Sequence, residues 1–203
     1  MNKESDIVFV IDDEESVRSS LSLFLKLSGY AVESYESSEL YLARELYQGT
    51  GCIILDVNLS GKSGIELQQE LINRNSLLPV IFVTGYANIR MSVHALKKGA
   101  VNYLEKPFNE DVILSSVAEA LLLSQKLVSE NQEIQKAQQL ISKLTPRENE
   151  ILSYILKGFL NKQIAGELNI VEHTVKLHRR SICHKLGVKS VPEIIQIVYK
   201  AGI

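Results

Sequence analysis

The stretch Cys52-Ile53-Ile54-Leu55-Asp56 constrains the fold more than any other part of the chain. It is an unbroken run of apolar β-formers that stops at a carboxylate, with Gly61 and Gly64 soon after. A strand without alternation of apolar and polar residues is buried on both faces, as a central strand of a parallel sheet is. Ligands of open α/β sheets bind in the crevice outside the carboxyl ends of the strands. Asp56 stands at that edge. An Asp after a strand also commonly caps the next turn, so the remaining strand ends decide its meaning.

The residues on either side repeat a strand–helix unit. Ile7 to Ile11 is apolar and β-rich and breaks at Asp12-Asp13-Glu14-Glu15. Val17, Leu21, Phe24, Leu25 and Ser28 follow at helical spacing, closed by Gly29. Ala31 to Tyr35 reads as a second strand and Ser37 to Tyr47 as a second helix. After the central strand, Ile65, Leu67, Leu71 and Ile72 mark a third helix. Pro79 to Thr84 is a fourth strand, and Ala87 to Lys98 is a helix stopped by Gly99. Val101 to Glu105 is a short fifth strand, with a last helix from near Glu110. Repeated βα units imply a doubly wound parallel sheet with right-handed crossovers.

If the strands are parallel, Asp12-Asp13, Asp56, Thr84 and Lys106-Pro107 converge on one sheet edge. Three carboxylates that close repel one another unless a divalent cation lies among them. An all-oxygen ligand set favours Mg²⁺, which takes one or two carboxylates, waters and a phosphate. A lysine and a hydroxyl aimed at the same spot suit the oxygens of a phosphoryl group in transfer. A carboxylate can itself be the nucleophile. The constellation therefore describes an aspartate that accepts a phosphoryl group with the help of a metal.

These residues, with Thr84-Gly85 and Gly99-Ala100-Val101-Asn102-Tyr103-Leu104-Glu105-Lys106-Pro107-Phe108, resemble the receiver domain of bacterial two-component response regulators, from about Ile7 to Leu123. The resemblance implies a flavodoxin-like sheet with Asp56 as phosphoacceptor. It also implies Asp13 as an Mg²⁺ ligand, Asp12 supporting the metal directly or through water, and the backbone carbonyl of Asn58 completing the set. Thr84 would bond the phosphoryl oxygen, Lys106 would pair with it, and Tyr103 would be the aromatic switch. In that family the Lys106-Pro107 peptide is cis. Two positions depart from the pattern. Ser60 and Arg90 stand where the family usually has proline, and neither is expected to touch the metal site.

At 203 residues the chain is long enough for a second small domain. Its net charge of −2 conceals an asymmetry: from Lys143 onward there are 10 basic residues against 5 acidic ones. A basic half is a candidate for nucleic acid. Between the halves, Leu123, Leu127, Glu130, Ile134, Ala137, Ile141 and Leu144 alternate at heptad spacing without Gly or Pro. Either an amphipathic linker helix or a dimer seam fits that pattern. The boundaries read as 1–123, a linker over 124–143, and 144–203.

Thr145-Pro146-Arg147-Glu148 opens a helix with an N-cap, a first-turn proline and a glutamate three residues on. Lys162 to Leu168 and Glu172 to Leu186 form two more, joined by the turn Asn169-Ile170-Val171, a helix-turn-helix pattern. Winding the third helix puts Val175, Ile182 and Leu186 inward, His178 near the core, and Lys176, Leu177, Arg180 and His184 outward. The segment resembles the LuxR-type helix-turn-helix of the FixJ/NarL family through Leu144 to Glu148, Asn161 to Ala165 and Thr174 to His178. That implies Lys176, Leu177 and Arg180 as base readers of double-stranded DNA, Lys162 and Arg179 at phosphates, and dimer contacts from a fourth helix at Val191.

The expected function is a DNA-binding transcriptional regulator switched by phosphorylation of Asp56, not an enzyme beyond slow self-dephosphorylation. Its expected partners are a sensor histidine kinase, duplex DNA, a second copy of itself once phosphorylated, and RNA polymerase. Two alternatives are a regulator that acts without phosphorylation and an aspartyl-phosphate hydrolase; the short βα connections leave no room for the hydrolase's cap. A dinucleotide or flavin enzyme would need G-x-G-x-x-G after the first strand, where Asp12-Asp13 stands. The N-terminus lacks the layout of a signal peptide, and no run approaches the roughly 18 uninterrupted apolar residues of a membrane span. Cys52 and Cys183 form no framework, so a reducing cytoplasm and no membrane partner are expected.

Overall fold

The computed structural model describes residues 6–85 and 89–203, without the side chains of Ile89, Arg90, Met91 and His94. The N-terminal stretch before Asp6, the expected helix start at Ala87 and the Arg90 side chain lie outside the described residues. The chain divides into two compact units, Met1–Val128 and Ser129–Ile203.

In the first unit, β1 (Ile7–Ile11), β2 (Ala31–Tyr35), β3 (Gly51–Asp56), β4 (Val80–Thr84) and β5 (Asn102–Glu105) form one parallel sheet in the order β2-β1-β3-β4-β5. Every residue of β3 is buried, as its unbroken apolar run requires. Side chains alternate between the two faces. Val8, Val10, Cys52, Ile54, Ile81 and Val83 meet Leu21 and Leu25 of α1 (Glu15–Leu27) and Ile113, Val117 and Leu121 of α5 (Glu110–Ile141). On the other face, Phe9, Ile11, Ile53, Leu55 and Phe82 meet Tyr41 of α2 (Ser38–Leu42), Leu67 and Leu71 of α3 (Gly64–Asn73) and Ala95 of α4 (Ile89–Lys97).

Register converts these strands into a site. Ile11 pairs with Leu55, Asp56 with Val83, and Thr84 with Glu105. Asp12, Asp56, Thr84 and Lys106 therefore reach the carboxyl edge nearly level. Strand order reverses between β1 and β3, the switch point where such sheets bind ligands.

Two helices differ from expectation. α2 ends at Leu42, short of Tyr47, because the next residues close a hydrophobic layer. The Arg44 guanidinium lies 4.5 Å over the Phe9 ring, and Tyr47 meets Phe9 edge-on at 5.5 Å. The final receiver helix and the linker are one helix, α5, without a break at 123. A stretch of α5 has a mean hydropathy of 1.4, enough by length and composition to cross a membrane, yet Ile113, Val117, Ala120 and Leu121 are buried on the sheet. The heptad residues do not share one fate. Ala137 and Leu144 are buried in the second unit, whereas Leu123 and Ile134 are exposed.

The second unit is helical: α6 (Pro146–Leu156), α7 (Asn161–Glu167), α8 (Glu172–Leu186) and α9 (Val191–Lys200). Ile151, Ile155, Ile164, Val175, Ile182, Leu186, Ile194 and Val198 form its core. The expected capping box is present, with Thr145 Oγ1 accepting from the Glu148 N–H and the Glu148 carboxylate accepting from the Thr145 N–H. Glu148 also receives Ser181 Oγ and Lys185 Nζ of α8, each at 2.6 Å. Asn169, in the left-handed region at φ 48°, turns the chain from α7 into α8.

Candidate phosphoacceptor site and nucleic-acid interface

Asp12 and Asp56 are almost fully buried and Asp13 is exposed beside them; one carboxylate oxygen from each lies within 4.8 Å of the others. Lys106 Nζ sits between the two buried acids, 2.6 Å from Asp12 Oδ2 and 2.6 Å from Asp56 Oδ2. The Lys106-Pro107 peptide is cis. Backbone N–H groups occupy the other oxygens, Glu14 donating to Asp12 Oδ1 and Asn58 to Asp56 Oδ1. Gly64 brings the start of α3 against β3, and a Cβ there would lie 2.1 Å from the Asp56 carbonyl oxygen.

Electrostatics follow from burial. Desolvation raises the Asp12 pKa above the usual carboxylate range, with the Asp56 charge adding to it against the pull of Lys106. Asp13 is held low, chiefly by its hydrogen bond from Ser60. Burial works against the charged form of Lys106, but its bonds to Asp12 and Asp56 hold its pKa above the ordinary lysine value. The pocket thus balances one ammonium against buried carboxylates, which are hard oxygen donors of the kind divalent cations prefer.

Thr84 is fully buried, and its Oγ1 accepts from Asn58 Nδ2 at 3.3 Å. Tyr103 lies beside it, its ring 6.2 Å from that of Phe82. The Tyr103 hydroxyl is already buried, without a hydrogen bond of good geometry. Burial raises its pKa despite the neighbouring Thr84 hydroxyl. Asp12, Asp13, Asp56, Thr84 and Lys106 therefore gather at one edge, with Asn58 and Tyr103 beside Thr84.

One expectation is corrected. Ser60, expected to stay clear of the metal site, donates both its N–H (3.0 Å) and its hydroxyl (2.5 Å) to Asp13 Oδ2. The loop after β3 returns to the end of β1, so a position four residues past Asp56 lands on Asp13. Sequence reasoning also passed over Arg18, which donates to the Asp12 carbonyl at 2.8 Å. Its place one turn into α1 was the available signal.

In the second unit, Lys176, Leu177, Arg180 and His184 are all exposed on α8, and Lys162 is exposed at the start of α7. Lys176 pairs with Glu172 one turn earlier, at 2.9 Å. Arg179 is half-buried near Phe159, Leu160 and Asn161, off the outer face that carries Arg180. His178 is half-buried. Lys185, counted in the basic surplus, is taken up by Glu148.

Comparisons with known proteins agree with this division. Residues 8–118 match the response regulator receiver domain, and residues 142–198 match bacterial regulatory proteins of the luxR family. Transcriptional regulatory protein TdiR of Thauera aromatica is 38% identical over 96% of this chain and 86% of its own length. Transcriptional regulatory protein FixJ of Rhizobium meliloti is 34% identical over 96% of each chain. The solved structure of response regulator StyR superposes with a TM-score of 0.83 at 38% identity, covering 97% of this chain and 99% of that one. A receiver fold with its acidic edge, followed by a helix-turn-helix, defines a DNA-binding transcriptional response regulator. Within that class the chain belongs to the two-component response regulators of the FixJ/NarL type, a family of regulators rather than enzymes.

Proposed function

We propose that Asp56 accepts a phosphoryl group from the phosphohistidine of a sensor kinase. The observation that carries this reading is Asp56 at the switch point, one oxygen 2.6 Å from Lys106 and Thr84 at the end of the adjacent strand. In the transfer, the donor's P–N bond breaks, a P–O bond forms to the Asp56 carboxylate, and the imidazole leaves. Lys106 exchanges its bond to Asp56 for one to a phosphoryl oxygen, and the Thr84 hydroxyl donates to another. The oxygen donors fit Mg²⁺, with Asp12, Asp13, Asp56 and the Asn58 carbonyl as its holders; when bound, it supplies charge neutralisation for the phosphoryl oxygens. Slow hydrolysis of the acyl phosphate resets the site.

Residues 1–123 form the receiver, 124–143 the linker and 144–203 the DNA-binding domain. The new charge at Asp56 shifts a population toward the dimer-competent state. The exposed Val93 and Leu96 of α4, with Tyr103 of β5, supply the dimer contact, whereas Lys98 donates to Gln69 of α3 and Ala95 is buried. In DNA, Lys176, Leu177 and Arg180 read base edges while Lys162 and Arg179 meet phosphates, Lys176 first parting from Glu172. The regulator works in the cytoplasm with RNA polymerase as a downstream partner. Labelling of wild type and Asp56→Asn by acetyl phosphate in the presence of Mg²⁺ tests the reading.

A further inference from the structure

Ser60 makes two donations to one oxygen. Its N–H and its hydroxyl both reach Asp13 Oδ2, and neither falls on Oδ1. Asp13 is the exposed member of the three carboxylates, so it has the most freedom to swing away from Asp12 and Asp56. A carboxylate gripped through one oxygen by two donors keeps its plane and presents the other oxygen in a fixed direction.

The loop that carries Ser60 is itself held. Leu59 beside it is buried. Glu39 Oε1 accepts the Lys62 N–H at 3.1 Å, and Ser38 Oγ donates to the Lys62 carbonyl at 2.9 Å. Ser63 closes a capping box with Glu66 at the start of α3. Gly61, at φ 86°, makes the turn between Ser60 and these anchors. Ser60 is thus a donor on a braced loop, not a wandering surface hydroxyl.

We propose that Ser60 is a positioning residue for the divalent cation, clamping Asp13 through Oδ2 so that Oδ1 is directed to the metal. The inference rests on the metal-site reading above. Hydrogen-bond partners that orient a ligating side chain typically change metal affinity by about 10–100-fold when lost. Ser60→Ala removes the hydroxyl and keeps the N–H. Ser60→Pro removes both donors, and Ser60→Thr keeps both.

The test is a Mn²⁺ titration of the full-length protein, followed by the electron paramagnetic resonance of free Mn²⁺ and repeated with Mg²⁺ as competitor. Wild type and Ser60→Thr should bind alike, Ser60→Ala more weakly, and Ser60→Pro about tenfold more weakly than wild type. Urea midpoints in metal-free buffer identify any variant that fails to fold, and Ser60→Ala decides if Ser60→Pro does. Unchanged or tighter binding by Ser60→Ala overturns the proposal, as does a loss in Ser60→Thr equal to that in Ser60→Ala. Failure of wild type to bind Mn²⁺ overturns the metal-site reading itself.

Discussion

Gly64 touches Asp56 through backbone alone: a Cβ on Gly64 would stand 2.1 Å from the Asp56 carbonyl oxygen. The Gly64 N–H donates to the Val57 carbonyl at 3.1 Å, so the start of α3 is bound to the end of the central strand. No side-chain rotation can relieve a clash with a main-chain carbonyl. Gly64→Ala should therefore cost about 1–3 kcal/mol of stability and slow phosphorylation by displacing Asp56. Urea unfolding and acetyl-phosphate labelling check the two halves; an alanine variant equal to wild type in both would refute the contact.

Glu148 should give the second unit an acid-sensitive clamp. Burial alone would raise its pKa, but the bonds from Lys185, Ser181 and Thr145 bring it down to about 2. A carboxylate depressed in the folded state stabilises it above the ordinary value of 4.5, and loses that contribution as pH falls toward 2. Glu148→Gln should be less stable by about 2–3 kcal/mol at neutral pH. The gap should narrow between pH 4.5 and 3, measured by urea unfolding across that range. A constant gap would mean that the charge is not what stabilises.

The strand ends were legible because each is a short apolar run with an abrupt chemical stop, and parallel register leaves those stops level. The length of α2 was not. Its end is set by Arg44 and Tyr47 finding Phe9, a residue on a strand far back in the chain, and no local spacing encodes that meeting. The Ser60–Asp13 bond was missed for the same reason, since it spans 47 residues. Heptad spacing in α5 marks a helix but does not say what each position meets: Ala137 and Leu144 are buried in the second unit, while Ile134, in the same unit, and Leu123, in the first, are exposed.

The outer face of α8 should divide its labour. Arg180→Ala should weaken a specific operator by about 1–3 kcal/mol more than random duplex. Lys162→Ala should weaken both alike and reduce the salt slope by roughly one counterion per protomer. Salt titrations on both duplexes separate these outcomes. Equal losses for Arg180→Ala on operator and random DNA would exclude it as a base reader.

Phosphorylation should move the protein toward a dimer through α4 and β5. Leu96, exposed on α4, is the position to charge: Leu96→Asp should keep the phosphorylated protein monomeric in sedimentation. Ile134→Lys serves as the control for pairing through the exposed part of the linker. Dimers that persist in Leu96→Asp but dissolve in Ile134→Lys would place the contact on the linker instead.

The central claim is that Asp56 is the phosphoacceptor, and direct detection of the phosphorylated residue tests it. Full-length protein is incubated with acetyl phosphate and Mg²⁺, trapped by borohydride reduction of the acyl phosphate, and mapped by peptide mass spectrometry. The account predicts one reduced aspartate, at Asp56, lost in Asp56→Asn and diminished in Lys106→Ala. Label at Asp12 or Asp13 in the wild type, or undiminished labelling of Asp56→Asn, would contradict it.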